Sequence, residues 1–421
     1  MLLGAIADDF TGATDLASML VRNGMRTVQL IGVPERTQPA PDADAVVVAL
    51  KSRTAPVEQA VAESVAALEW LRAASARQFF FKYCSTFDST DQGNIGPVAD
   101  ALLGALGARF ALACPAFPAN ARTVYLGYLF VGGVLLNESG MEHHPLTPMK
   151  DPNLVRVLGR QTTGSVGLVP YPVVAQGSAS IRDAMATLEA QGHRYAIVDA
   201  VSDDHLIGMG KAAASHLLIT GGSGVAMGLP QNFRAAGLLA EYADPSALPS
   251  VHGPGAVLAG SCSRATLAQI EAARRHVPVL QLDPLATPDA KALAVLALDW
   301  VPGKLGSVPV VIAASASPDR VAALQERLGR DAAGALVEHT LACVAEGLFA
   351  AGVRRLVVAG GETSGAVVAR LGVHSLRIGA EIDTGVPWTY AEGDRAPMLL
   401  ALKSGNFGSE AFFTKAFEVL E

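Results

Sequence analysis

The densest chemistry in the sequence lies near its start. Residues 6–15, IADDFTGATD, put two adjacent carboxylates, Asp8 and Asp9, at the end of an apolar run, with Gly12 next and an Ala-rich segment beyond. A carboxylate at a strand end can accept the proton of a sugar hydroxyl or hold Mg²⁺ during phosphoryl transfer. It can equally cap the helix that follows. Strand alternation sends the two side chains to opposite sides, so one is expected to face a cleft and the other to cap. A second polar cluster, residues 81–97 (FKYCSTFDSTDQGNIGP), supplies Lys82, Ser85, Thr86, Asp88 and Ser89. That mixture suits a hydroxylated anion: lysine for a carboxylate, hydroxyls and aspartate for sugar hydroxyls. Arg53, in LKSRT, brings a guanidinium that grips a carboxylate through two parallel hydrogen bonds. Residues 137–148, NESGMEHHPLTP, form a long, turn-rich polar stretch read as a lid or substrate loop.

The second half carries three glycine loops of one design: LAGSCSRAT (258–266), VAGGETSGAVV (358–368) and LKSGNFGSEAFF (402–413). Each follows a candidate strand and opens or precedes a helix. Glycine lets the backbone approach a phosphate, and the free N–H groups of a helix start favour an anion. In a parallel sheet such loops share one edge, where open α/β sheets bind ligands. Together they are expected to form a nucleotide cleft. Lys403 is placed either to meet a phosphate or to face solvent. There is no GxxxxGK[ST] pattern, which excludes a P-loop kinase, and no GxSxG elbow for a serine hydrolase.

The elements behind these loops follow from hydrophobic patterning. Short apolar runs at 2–7, 28–32, 45–49, 79–84, 110–114 and 195–200 read as strands, and 13–22, 57–74 and 95–106 as helices. The pattern lapses at AEYADPSALPSVHGPG (240–255), a linker with three prolines and two glycines. It resumes with strands at 256–259, 277–282, 308–313, 356–359 and 399–402, and helices at 265–276, 318–328 and 334–350. The expected fold is α/β with two domains, 1–247 and 248–421, each a largely parallel sheet flanked by helices, with an active site in the interdomain cleft.

Composition narrows the function classes. Half the residues are hydrophobic, 17% are charged, the net charge is -7 and the pI is about 5.7. No Lys/Arg-rich run suggests nucleic acid. The longest apolar run, 124–136, is broken by glycines and falls short of the ~20 residues of a membrane span. Residues 1–6 run into Asp8–Asp9 without a basic start, so no secretion signal is read and a cytoplasmic location is expected. Cys84, Cys114, Cys262 and Cys343 lack metal-knuckle spacing. The adjacent His143–His144 reads as polar loop, and no metal ligands are assigned. Homo-oligomerisation is left open.

Two other function classes compete. LLITGGSGVAMG (217–228) approximates a dinucleotide-binding GxG turn, the basis of an NAD(P)-dependent oxidoreductase. Its third glycine comes one residue late at Gly228, and Glu241, the acid at about the right distance, falls in the linker. Two α/β lobes around a cleft also describe a non-catalytic sugar-acid sensor.

The motifs ADDFTGATD, KYCSTFDST with GNIGPV, CPAFPANART, LNESGMEHHPLTPM, AGSCS, AGGETSG, EIDTGVPW and LKSGNFG resemble, in order and from residue 6 to the end, the four-carbon acid sugar kinase family. The resemblance is closest to the branch that phosphorylates 3-oxo-tetronate at its terminal C4 hydroxyl, with D-threonate and D-erythronate 4-kinases as alternatives. It implies an ATP-dependent enzyme using Mg²⁺, with the sugar acid on the N-terminal domain and the nucleotide on the C-terminal one. Ser261, Ser263, Gly360, Gly361, Glu362, Thr363 and Gly405 are then expected to line the nucleotide. Asp8 and Asp9 would lie near the acceptor hydroxyl as catalytic candidates, with Arg53, Lys82, Ser85 and Asp88 binding the acid.

Overall fold

Eight parallel strands organise the first half of the chain in the computed structural model, which describes residues 1–88, 90–143, 147–242 and 244–420. The chain divides into two units, Met1–Pro245 and Ser246–Glu421. In the first, the strands are β1 (Leu3–Ala7), β2 (Thr27–Ile31), β3 (Ala45–Ala49), β4 (Gln78–Lys82), β5 (Ala111–Cys114), β9 (Val166–Val169), β10 (Tyr195–Val198) and β11 (Leu218–Gly221); β6 to β8 make the ribbon described below. Their order is β2-β3-β1-β4-β11-β5-β10-β9, every pairing parallel. A parallel sheet is covered on both faces, so its strands are continuous apolar runs rather than alternating ones. LGAIA and AVVVA are buried throughout. Phe79, Phe80 and Phe81 of β4 are buried too, each burial worth ~1.5–3 kcal/mol. All of these strands point their C-terminal ends to one edge, and the polar motifs of this half begin there.

The apolar run 124–136, expected to be buried structure or a site loop, is an antiparallel ribbon: β6 (Arg122–Tyr125), β7 (Tyr128–Val131) and β8 (Val134–Leu135). Its turn uses positive φ at Leu126 and Gly127, and the buried Asp199 carboxylate accepts the N–H groups of both at 2.6 and 2.9 Å. Tyr125 and Leu126, at the β6–β7 turn, and Val134, at the start of the two-residue edge strand β8, stay exposed.

The second unit contains β12 (Gly255–Ala259), β13 (Val279–Gln281), β14 (Val310–Ala313), β15 (Arg355–Ala359), β16 (Val373–Asp383), β17 (Val386–Gly393) and β18 (Met398–Lys403). Their order is β13-β14-β12-β15-β18-β17-β16, parallel from β13 to β18 and antiparallel from there on. The antiparallel pair β16–β17 has no counterpart in the sequence-based elements. Its bulged register and half-polar strands blur the period-two signal. Helix Arg330–Ala350 has the length and hydropathy of a membrane span, yet Leu341, Val344, Ala345 and Leu348 are buried as it packs on helices Ala290–Trp300 and Gly361–Leu371, as a core helix does.

Candidate functional site

In the first unit the site grows from the end of β1. The helix that follows, Phe10–Arg22, starts where Asp9 adopts extended backbone and its carboxylate accepts the Gly12 N–H at 2.9 Å. Thr11 Oγ1 adds a second hydrogen bond to Asp9 at 3.2 Å. Asp8 points the other way into protein and is nearly inaccessible. Both nevertheless meet one cation. Arg53 gives Nε and Nη2 to the two Asp8 oxygens at 2.9 Å each, and Nη2 also lies 2.9 Å from Asp9 Oδ1. The clean division into one cleft-facing and one capping aspartate therefore gives way to a bridged pair. The Arg53 fork, expected to grip a ligand carboxylate, is filled on those nitrogens by the protein's own acids.

Lys82, at the end of β4 beside β1, is buried and donates to the Tyr83 carbonyl at 2.9 Å. Two carboxylates and two cations thus balance in charge. Burial pushes Asp9 upward, but Arg53, Lys82, the Gly12 N–H and the Thr11 hydroxyl outweigh it and hold the carboxyl below its ordinary value. Asp8 is driven above its ordinary value by burial, which Arg53 offsets only in part. Burial also works against the Arg53 charge, yet the two aspartates overcome it and keep the group firmly protonated. Two neighbouring acids are thus tuned in opposite directions.

The loop after β4 carries the other predicted groups. Ser85 is half-buried in a turn; Thr86 Oγ1 donates to Asp88 and lies 3.0 Å from Cys84 Sγ. Phe87 is fully buried at φ +54°, with its ring edge-on to Tyr83 at 5.3 Å between centroids. A bulky residue in the left-handed region is a strained conformation retained only where packing dictates it. Here the buried ring anchors a loop in which Ser85 and Asp88 stay half-exposed while Thr86 is buried. Ser89 and His144, the latter within the expected lid, lie outside the described residues. A cavity of about 300 Å³ opens where this loop (Thr90, Asp91, Gln92) meets Met149, Lys150, Asp151 and Arg160.

Asn94 is a residue that sequence reasoning left without a role. Its Nδ2 lies 2.7, 3.3 and 2.9 Å from the carbonyls of Ser52, Arg53 and Ala55, and Ser52 and Arg53 donate their N–H groups to the Asp8 carbonyl. One buried amide thereby fixes the turn that presents Arg53. The quoted GNIGP motif was the available signal.

In the second unit, β12, β15 and β18 are neighbours, so the three glycine loops meet at one edge. Ser263 caps helix Arg264–Ala273, accepting the Thr266 N–H, and its hydroxyl donates to the Gly405 carbonyl at 2.5 Å. Thr266 Oγ1 donates to the same carbonyl at 2.9 Å. The loops are so close that a Cβ on Gly405 would stand 2.3 Å from Ser261 Oγ. Gly360 begins helix Gly361–Leu371 at φ +128°, open only to glycine, and donates to the Lys403 carbonyl at 2.8 Å. Gly361 and Glu362 are exposed at that helix start, while Thr363 is buried. Ser261, Ser263, Gly360, Gly361, Glu362, Thr363 and Gly405 are therefore brought to one place. Lys403 is not solvated; it is completely buried.

The dinucleotide alternative finds no support at β11. Residues Ser223–Gly228 coil into a tight 3-10 turn, and a Cβ at Gly222 or Gly228 would strike the Pro115 or Ile207 carbonyl oxygen within 2.7 Å. These glycines serve backbone packing, which leaves no room there for a pyrophosphate.

Known proteins resemble the chain over its whole length. Residues 3–229 match the model of a sugar-binding N-terminal domain, and residues 256–413 that of a nucleotide-binding C-terminal domain. The 3-oxo-tetronate kinase of Burkholderia multivorans is 61% identical, covering 100% of this chain and 97% of that protein. The one from Salmonella typhimurium is 45% identical, with 98% of both covered. Among solved structures, a Salmonella typhimurium LT2 protein described as a putative tRNA synthase superposes with a TM-score of 0.89 at 44% identity, with 98% of both chains covered. A Haemophilus influenzae protein gives 0.82 at 44% identity, covering 99% of this chain and 100% of that one.

Proposed function

Because the chain belongs to the four-carbon acid sugar kinase family, we propose that it transfers the γ-phosphoryl group of ATP to the C4 hydroxyl of 3-oxo-tetronate, forming 3-oxo-tetronate 4-phosphate and ADP. The observation that carries the reading is full-length identity of up to 61% to proteins named for that activity. The two clusters supply the chemistry it needs.

Residues 1–247 hold the sugar acid and 248–421 the nucleotide. Ser261, Ser263, the Gly360–Thr363 helix start and Gly405 receive the phosphates through N–H groups and hydroxyls. Asp9, the more exposed acid of the pair, takes the C4 hydroxyl proton as that oxygen attacks the γ-phosphorus and the bond to the β-phosphate oxygen breaks. A carboxylate held below its ordinary value is a weak base, which suffices because phosphoryl transfer is loose and leans on positioning and charge. Asp8 keeps Arg53 in place. Ser85, Asp88 and the Arg53 Nη1 left outside the bridge orient the acid's carboxylate and hydroxyls, and the buried Lys82 adds positive charge behind them. Such transfer requires the acceptor hydroxyl and γ-phosphate to meet in a cleft closed to water.

Mg²⁺ supplies neutralisation of the β- and γ-phosphate charge. No group of three or more His, Cys, Asp or Glu is disposed to hold a metal among the described residues. The carboxylate of Glu362, exposed at the helix start, would be placed to hold the ion when it is bound. A coupled ADP-release assay with Mg-ATP and 3-oxo-tetronate, D-threonate, L-threonate and D-erythronate tests the reading. Preference for the 3-oxo acid is expected. Preference for a plain tetronate would transfer the protein to a sibling activity, and silence across the panel would refute the substrate class.

A further inference from the structure

We propose that Lys403 is the positioning residue of the third glycine loop: its buried ammonium holds the carbonyls of Ser404 and Gly405 inward and so turns the N–H groups of Gly405 and Asn406 outward to receive nucleotide phosphate. The inference rests on the reading of the second unit as the ATP-binding one.

Lysine is almost never fully buried without a partner of opposite charge. Lys403 is 0% exposed, and its three donors go to neutral oxygens: Thr266 Oγ1 at 3.1 Å, Ser404 O at 3.1 Å and Gly405 O at 2.9 Å. The Gly405 carbonyl is held a second and third time by Ser263 Oγ and Thr266 Oγ1. No peptide bond among the described residues is cis, and in a planar trans peptide the N–H points opposite to the C=O. Drawing in the 404 and 405 carbonyls therefore presents the Gly405 and Asn406 N–H groups on the far side. Neither donates to a backbone carbonyl among the described residues. Successive free N–H groups beside a glycine make an anion-binding concavity.

The rest of the loop repeats the device. Gln269 Nε2 lies 3.0, 2.9 and 3.0 Å from the carbonyls of Phe407, Gly408 and Ser409. Acceptors thus face the core along the loop, and a positive charge stands behind them with no carboxylate paired to it among the described residues. A bound triphosphate provides the missing negative charge. Burial lowers the ammonium to about 8, which leaves it mainly protonated at neutral pH.

The test is titration of the full chain with ATP and, separately, with adenosine, for the wild type, Lys403→Met and Thr266→Val, with thermal melts as a fold control and KM measured for both substrates. Lys403→Met keeps length without donors. It should weaken ATP binding roughly tenfold or more, the scale of lost charge-assisted hydrogen bonds, while adenosine affinity and the sugar-acid KM stay within twofold. Thr266→Val should show the same selectivity with a smaller loss. ATP affinity unchanged in folded Lys403→Met, or equal losses for ATP and adenosine, would overturn the proposal. If Lys403→Met does not fold, unchanged ATP affinity in Thr266→Val overturns it instead, and a selective loss there upholds it. A wild-type chain that binds no ATP overturns the kinase reading and this inference together.

Discussion

Replacing Gly405 by alanine probes the convergence of the glycine loops at its tightest point. The added methyl would stand 2.3 Å from Ser261 Oγ and 3.2 Å from Ser263 Oγ, so the first contact must open by about 1 Å to become ordinary. The backbone at 405 cannot move freely, because its carbonyl accepts from Ser263, Thr266 and Lys403. Ser261 must yield instead, and that breaks the hydrogen bond its oxygen accepts from the Ser263 N–H at 3.2 Å. Overpacking of this kind costs ~1–3 kcal/mol. For a unit of this size that is a fall in Tm of roughly 2–10 °C. The assay is a thermal melt paired with KM for ATP and for the sugar acid. Melting should fall and the ATP KM rise while the sugar-acid KM holds. Adding Ser261→Gly should restore melting, with a coupling of about 1 kcal/mol or more in the double-mutant cycle, but not ATP affinity. A Gly405→Ala protein that melts and binds ATP like the wild type would refute the contact and the reasoning built on it.

Other expectations concern the acidic cluster. Asp9→Asn should lower kcat by about 10²-fold or more with the ATP KM unchanged, the usual scale for an acid–base group; near-normal turnover would shift the role to Asp8. The pH profile separates the two acids. With Asp9 as base, kcat/KM stays flat on the acid side down to about the ordinary carboxylate value, whereas a limb well above that value would point to Asp8, which burial pushes up. The folded-state value of Asp9 lies below the ordinary 3.8, so its stabilisation is complete above 3.8 and is lost as pH falls below it. Asp9→Asn should accordingly flatten the acid limb of an unfolding curve, and an unaltered limb would contradict the assignment. Arg53→Lys keeps the charge but not the fork, and should cost ~1.5–3 kcal/mol of stability in denaturant unfolding; no loss would mean the bridge is idle. Asn94→Ala strips the donors from three carbonyls and should raise the sugar-acid KM or lower kcat while ATP titrations remain unchanged.

Much of the architecture was legible in the chain because parallel strands buried on both faces write themselves as unbroken apolar runs. AVVVA at β3 and the triple phenylalanine of β4 could hardly be read otherwise. The glycine loops were legible for a local reason too: glycine, a small polar residue and a helix start belong to one short stretch. The bulged β16–β17 pair escaped because its alternation is broken. Asn94, Gln269 and Thr266 escaped because a side chain that gathers distant carbonyls has no signature in its own neighbourhood.

The sequence by itself determined which residues could do chemistry and that they stand at strand ends, since apolar periodicity and turn residues act over a few positions. Only the tertiary structure decided which strand ends are neighbours. The β12-β15-β18 adjacency brings Ser261, Gly360 and Gly405 together, and Arg53 reaches two aspartates more than forty residues away because β1 and β3 pair. It also decided charge: Asp8 and Asp9 are chemically identical neighbours in the chain, and Lys403 could have been a surface lysine. Burial and the partners across the fold, which no local window contains, set one acid up, the other down, and sealed the lysine beneath its loop.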